Sequence, residues 1–338
     1  MPLPGTPNKC SDCRSPKIRD HKKYQIQTKE ERQLYYCDEC ETYFSETKHT
    51  FLFGLRTSIS RISLVLSSLT ESQGINALTR IYGVSKNSIY RWQERLSGLK
   101  ETLLLYALCH QFLQQVIEGD ELYTKINKNV PPDESQGWTL VLMDRASRFL
   151  WELECGRKDR KLFRKAMRTL LRVIEKTGDL SLLTDGERRY GNLLFEICHE
   201  LLRTGKPGRP KKTLKKGVKV RVKNKGSQTH KKGPKRPKYQ TPQSEHPETT
   251  QTLNNDQIHA NHVEAFNASL RRRCAAYRRK TNTYAKKQTR LQQGLDVYWI
   301  VHNFIRSHFT TGKVPAVSLG ILEQGFSFQE LFSIQKIA

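Results

Sequence analysis

The sequence predicts a mixed α/β protein in which a strand-and-helix domain follows two smaller modules, a cysteine ribbon and an all-helical segment. Three observations carry that prediction. Two Cys-x-x-Cys pairs lie within the first 40 residues, apolar residues recur at helical spacing over 57–99, and beyond 113 period-two segments alternate with helical ones. At 338 residues the chain can bury a sizeable core, with a prior of about two domains plus small attachments. Its 59 Lys and Arg against 33 Asp and Glu give a net charge of +26, which favours a polyanionic partner, nucleic acid or an anionic membrane surface. No run of about 18 apolar residues exists and the N-terminus lacks a signal-peptide core, so a soluble, intracellular protein without a membrane partner is expected.

In a reducing compartment cysteines are read for metal chemistry before disulfides. Cys10 and Cys13 form one pair, Cys37 and Cys40 the other, with 23 residues between. Each pair makes a tight knuckle aiming two thiolates at one point, so the four predict one structural Zn2+ in a ribbon over 1–50. Segments 24–26 and 34–36 read as its strands. Cys109, Cys155, Cys198 and Cys274 stand alone and read as packing residues.

Over 55–100 the spacing of Ile59, Ile62, Leu66 and Leu69, then Ile75, Leu78, Thr79 and Tyr82, predicts successive amphipathic helices. Small Ala77 allows close helix approach, Gly83 supplies a tight turn, and Ser85 can cap the next helix. Val84, Ile89 and Trp92 are spaced to pack inward. These features predict a helix-turn-helix whose second helix offers Lys86, Asn87, Tyr90 and Arg91 to phosphates and base edges of DNA.

After a linking helix over 101–112, a strand is expected over 113–126, two strands around a turn at 144–147 over 137–156, a helix over 158–176, a strand over 180–184, and a helix from 189 to about 203. Strand, strand, strand, helix, strand, helix is the opening order of a ribonuclease-H-like fold, here assigned to 113–313. In that fold the first and fourth strands are neighbours. Asp120 falls inside the first and Asp185 at the end of the fourth, where Gly186 leaves room for a ligand. A helix beginning near His259 supplies Glu264, with Asn261, Asn267 and Arg271 at steps of three and four on the same face; these three and Arg272 are the helix's candidate DNA contacts. Three such carboxylates can hold two divalent cations, Mg2+ or Mn2+, and clamp the attacking and leaving oxygens of a phosphodiester. Glu118 shares a strand face with Asp120 and is its rival; Glu121 points the other way, and Asp144 reads as a turn former.

At these residues the chain resembles the DDE transposases of small prokaryotic insertion sequences, most closely the type founded on insertion sequence one. The resemblance rests on Gly119-Asp-Glu-Leu-Tyr, Thr184-Asp-Gly, Asn261-His-Val-Glu-Ala-Phe-Asn-Ala-Ser-Leu-Arg-Arg-Arg, the basic run from Arg278 and the late Val314-Pro-Ala-Val-Ser-Leu-Gly-Ile. It implies catalytic and metal-binding roles for Asp120, Asp185 and Glu264, and a substrate-DNA contact by Arg271. It further implies double-stranded DNA as partner, at element ends and target. Synapsis of two ends implies a homodimer or larger assembly, and the expected location is the prokaryotic cytoplasm, on the nucleoid. A DNA-binding regulator with an inactive ribonuclease-H-like domain, and a metal-dependent nuclease without strand transfer, are the alternative readings.

One segment departs from the compact pattern. Residues 204–257 lengthen the interval between Asp185 and Glu264, and 206–238 holds 15 Lys or Arg and no Asp or Glu. Its start, Lys206-Pro-Gly-Arg-Pro-Lys-Lys, looks like an AT-hook, with Arg209 for a narrow minor groove and Lys211 and Lys212 on phosphates. A solvated basic tract adding salt-sensitive affinity is the competing reading. Alternation of Val218, Val220 and Val222 predicts a strand within this insert. Residues 314–338 form a C-terminal tail.

Overall fold

The computed structural model describes residues 8–336, apart from 27–28, 128–129, 204, 206, 224–238, 241–242, 250–252 and 279–281. Most of the basic run after 223 therefore lies outside the described residues, as does Lys206.

At the N-terminal end, β1 (Ile18–Gln25), β2 (Glu31–Cys37) and β3 (Thr42–Ser45) form a three-stranded antiparallel sheet. Its small core is its own: Cys10, Tyr35, Cys37 and Phe44 pack together, apart from the main core. Four helices follow, α1 (Ile59–Leu69), α2 (Ile75–Tyr82), α3 (Lys86–Ser97) and α4 (Lys100–Ala107). The turn between α2 and α3 obeys the local chemistry. Gly83 ends α2 at φ +60°, and the Ser85 hydroxyl accepts from the Ser88 N–H at 3.1 Å to start α3. Ile62, Leu78, Ile89 and Trp92 are buried between the helices. The linking helix α4 ends five residues earlier than its periodicity suggests.

The central sheet contains β4 (Gln115–Tyr123), β5 (Trp138–Asp144), β6 (Leu150–Gly156), β7 (Leu180–Thr184), β10 (Val218–Lys223) and the two-residue β11 (Tyr239–Gln240), in the order β11-β10-β7-β4-β5-β6. Between β7 and β10 lie α6 (Arg188–Ile197) and a separate hairpin, β8 (His199–Leu202) with β9 (Lys211–Leu214). Strand β4 pairs antiparallel with β5 and parallel with β7, while β7 is also parallel to β10. The sheet is therefore mixed. The helix α5 (Arg160–Ile174) connects β6 to β7, as its apolar stripe of Phe163, Met167, Leu170 and Ile174 predicts.

Two expectations need correction. The helix from 189 stops at Ile197 rather than running to 203, because Leu202 and Leu201 pair with Lys211 and Lys212 across the β8–β9 hairpin. The segment 204–257 is not dispensable to the sheet, because β10 lies within it. Val218, Val220 and Val222 are buried in β10, and so are Lys219 and Arg221, whose charges are met by Asp179 and Glu245.

After the sheet come α7 (Asn261–Arg273), α8 (Gln288–Phe304), α9 (Pro315–Ser318) and α10 (Phe328–Ser333). The end of the chain is no loose tail. Phe332 stacks on Phe51 with centroids 4.3 Å apart, and the Lys336 N–H donates to the His49 carbonyl at 3.3 Å. One apolar core runs from Phe51 to Phe332, joining the N-terminal helices, the sheet and this C-terminal segment.

The two faces of β4 position the site. Gly119 lies close against Tyr190 of α6, and Glu121 meets Lys158 just before α5. Glu118 and Asp120 face the opposite way, toward α7.

Candidate metal centre and carboxylate site

The four predicted cysteines converge. Their sulfurs all lie within 4.8 Å of one another, with Cys10–Cys40 at 3.6 Å and Cys13–Cys37 at 3.5 Å. A tetrahedral thiolate site with bonds of about 2.3 Å places its sulfurs about 3.8 Å apart, so the cluster has the size such a site needs. The Thr42 hydroxyl lies 3.0 Å from Cys40 Sγ, and its hydrogen bond, followed by those of the other three thiols, pulls the Cys40 thiol down to about 7, while burial and the thiols around it push Cys13 up to about 12.

A second set of ligand-type atoms, Glu118, His259 and His262, also lies within 4.8 Å. Its electrostatics serve a different purpose. Arg145 Nε donates to Glu118 Oε1 at 2.7 Å, Nη2 donates to the His259 carbonyl at 2.7 Å, and Nη1 donates to the Gln257 carbonyl at 2.8 Å. A guanidinium thus already supplies the positive charge that a cation would bring. Glu118, 0% exposed, also accepts from the backbone N–H groups of His262 and Val263 at 3.0 Å each and from His262 Nδ1 at 2.7 Å. Burial opposes its charge, but these donors outweigh it and hold the carboxyl below its ordinary range. Glu118 therefore caps the start of α7 and ties it to β4. Burial and the Arg145 charge lower the pKa of His259, a further sign of a cation-rich corner.

Asp120 lies in β4, and Asp185 directly follows the end of its parallel neighbour β7. Gly119 is the register partner of Thr184, so Asp185, one step beyond, lies alongside Asp120. Desolvation by burial, followed by the Asp185 charge, raises the Asp120 carboxyl to about 6. Two groups orient it. The Glu121 N–H donates to Asp120 Oδ1 at 2.8 Å, and Asn267 Nδ2 donates to Oδ2 at 2.7 Å. Glu264 stands exposed in the first turn of α7, one turn before Asn267. Asp120, Asp185 and Glu264 are not among the three-atom sets within 4.8 Å formed by the described residues.

Behind the sheet a second network fixes the same strand ends. Lys158 Nζ lies 2.9 Å from Glu121 and 3.8 Å from Glu187, residues that follow Asp120 and Asp185 by one and two positions. Arg189 donates to both oxygens of Glu187 at 2.9 and 2.7 Å. Neither Arg145 nor Lys158 carried a signal in the sequence, since each stands in a basic turn whose partners are distant along the chain.

The predicted DNA-contact residues fall in three places. Lys86, Asn87 and Arg91 are exposed on α3, whereas Tyr90 is half-buried beneath the Arg290 guanidinium at 4.8 Å. Arg209, Lys211 and Lys212 are exposed at and beside the β8–β9 turn. On α7, Asn261 and Arg272 are exposed and Arg271 is half-buried, but Asn267 is only 3% exposed. Asn267 is thus withdrawn from any DNA surface, because its amide is committed to Asp120. Asp144 accepts from the Ser147 N–H and hydroxyl at 2.8 and 2.6 Å, the geometry of a turn former. Among the described residues no helix is long and apolar enough to cross a membrane. In comparison with known proteins, the chain matches no family model and no curated protein.

Proposed function

We propose that this protein is a DNA transposase of the DDE type, which cleaves the ends of its element and joins the 3'-hydroxyls to target DNA. The observation that carries the reading is the Asp120–Asp185 pair, one carboxylate on β4 and the other just past the end of the adjacent β7, with the Asp120 carboxyl raised to about 6. Like charges held together in a partly desolvated place form a site that divalent cations relieve. The sheet order supports the reading. Counted from β4, the first five strands run third, second, first, fourth, fifth, and among these five only the second is antiparallel to its neighbours, the order of a ribonuclease-H-like fold; the two-residue β11 adds antiparallel to β10 at the edge.

Asp120, Asp185 and Glu264 would hold Mg2+ or Mn2+, which supplies charge stabilisation and an activated oxygen nucleophile. The chain's own residues do the positioning. Glu121 and Asn267 orient Asp120, and Glu118 with Arg145 seats the first turn of α7, which carries Glu264. Arg271 and Arg272 lie further along the same helix, where they are placed to meet phosphates. The helices α1 to α3 form the helix-turn-helix of this reading, presenting Lys86, Asn87 and Arg91 to DNA, and the four cysteines hold a structural Zn2+.

The test uses labelled duplexes taken from the DNA flanking the coding sequence, with a supercoiled target plasmid. Expected products are end cleavage and joined 3' ends in Mg2+ or Mn2+, lost in EDTA and in Asp120→Ala, Asp185→Ala and Glu264→Ala while DNA binding persists. Cleavage without joining would support the nuclease, and binding without either would support the regulator.

A further inference from the structure

Asn267 is committed to Asp120. Its side chain is 3% exposed, its Nδ2 donates to Asp120 Oδ2 at 2.7 Å, and its Oδ1 is buried with no protein partner. The opposite oxygen of the same carboxylate, Oδ1, accepts from the Glu121 N–H. Each carboxylate oxygen is therefore fixed by one donor, one from the strand and one from the helix. A carboxylate held at both oxygens keeps one orientation, and the lone pairs left on each remain for a cation.

We propose that Asn267 is a positioning residue for metal binding, setting both the rotation of the Asp120 carboxylate and the distance from β4 to the helix that carries Glu264. The proposal rests on reading Asp120, Asp185 and Glu264 as metal ligands. Glu264 and Asn267 are three residues apart on α7, so a bond from Asn267 to β4 fixes the position from which α7 presents Glu264 relative to Asp120. The residue type suits the task. An amide donates without charge, so it orients Asp120 without neutralising it, whereas a Lys here would replace the cation and an Asp would add a fourth carboxylate to the three. Retaining a buried amide with an unpartnered Oδ1 is costly, which argues against a purely structural origin.

The test compares full-length wild type with Asn267→Leu, which keeps the volume, and Asn267→Ala, which keeps the helix. Mn2+ binding to the DNA-free protein is measured by calorimetry, and the Mn2+ dependence of end cleavage alongside it. The expected result is a metal affinity about tenfold weaker and a matching rise in half-saturating Mn2+, with DNA affinity unchanged and activity partly regained at high Mn2+. Unchanged Mn2+ affinity in a folded variant overturns the proposal, as does a lowered melting temperature with no change in metal dependence. Failure of both variants to fold assigns Asn267 to the fold and also overturns it. Wild type that binds no Mn2+ and cleaves nothing would instead sink the transposase reading itself.

Discussion

Asp120 carries its charge against its surroundings, and that has a measurable cost. Its carboxyl is raised to about 6 from an ordinary 3.8, by burial first and by Asp185 second. For an acid with a raised folded-state pKa, ionisation disfavours the folded state: stability declines as pH climbs from about 3.8 to about 6 and is then constant. At pH 8 the penalty is at most about 3 kcal/mol. Asp120→Asn should therefore melt at a higher temperature than wild type at pH 8, converge with it near pH 4, and lose the stabilisation that Mn2+ gives wild type. Calorimetric melts with and without Mn2+ at the two pH values check this. A gain in stability with a loss of chemistry is the pattern expected where a strained group serves a reaction.

At the scale of the element, α7 shows how a helix can be placed by its first turn. Its Ncap residue, Ala260, makes no side-chain cap, and the first-turn N–H groups of His262 and Val263, which have no partner within the helix, are satisfied by Glu118 of β4. Glu118→Ala leaves Arg145 without its carboxylate and α7 without its cap, a loss of about 3–5 kcal/mol by thermal or denaturant unfolding. Because the Glu118 carboxyl is held low, its contribution is present above its ordinary 4.5 and lost as pH falls below that, so the wild-type advantage over Glu118→Ala should shrink on acidification. The ribbon is an element of another kind. Its four-residue core is too small to stand alone, so a metal held by the four cysteines would be linked to the fold there. Cys37→Ser should lose the bound metal, measured by elemental analysis, and weaken binding of element ends while the main thermal transition remains in place.

At the scale of the whole molecule, the N-terminal helices are joined to the sheet by a buried ion cluster. Lys100 of α4 lies 2.8 Å from Glu152 of β6 and 2.9 Å from Asp296 of α8, with its side chain 13% exposed. Burial pulls its pKa down, but the two carboxylates outweigh that and keep the ammonium protonated. Lys100→Met should cost about 3–5 kcal/mol, since two buried carboxylates lose their partner. If that substitution leaves unfolding unchanged in chemical denaturant, the cluster does not couple the two parts.

Local patterns in the sequence determined the elements that depend on their own residues: the two cysteine knuckles, the Gly83 turn with the Ser85 cap, the strand at 180–184, and the alternating valines of β10. They also placed Asp120 in one strand and Asp185 at the end of another, and the two strands prove to be parallel neighbours. Tertiary structure decided everything that depends on a distant partner. It ended α6 at Ile197 because 211–214 was there to pair, drew 218–223 into the central sheet, and bound the C-terminal segment to Phe51. It also separated carboxylates that look alike along β4: Glu118 meets Arg145 and the start of α7, while Asp120 meets Asp185 and Asn267. Period-two alternation assigns both to one face and stops there, because a side chain's charge state and role are set by whichever groups the fold brings within about 4 Å, and those groups lie far away along the chain.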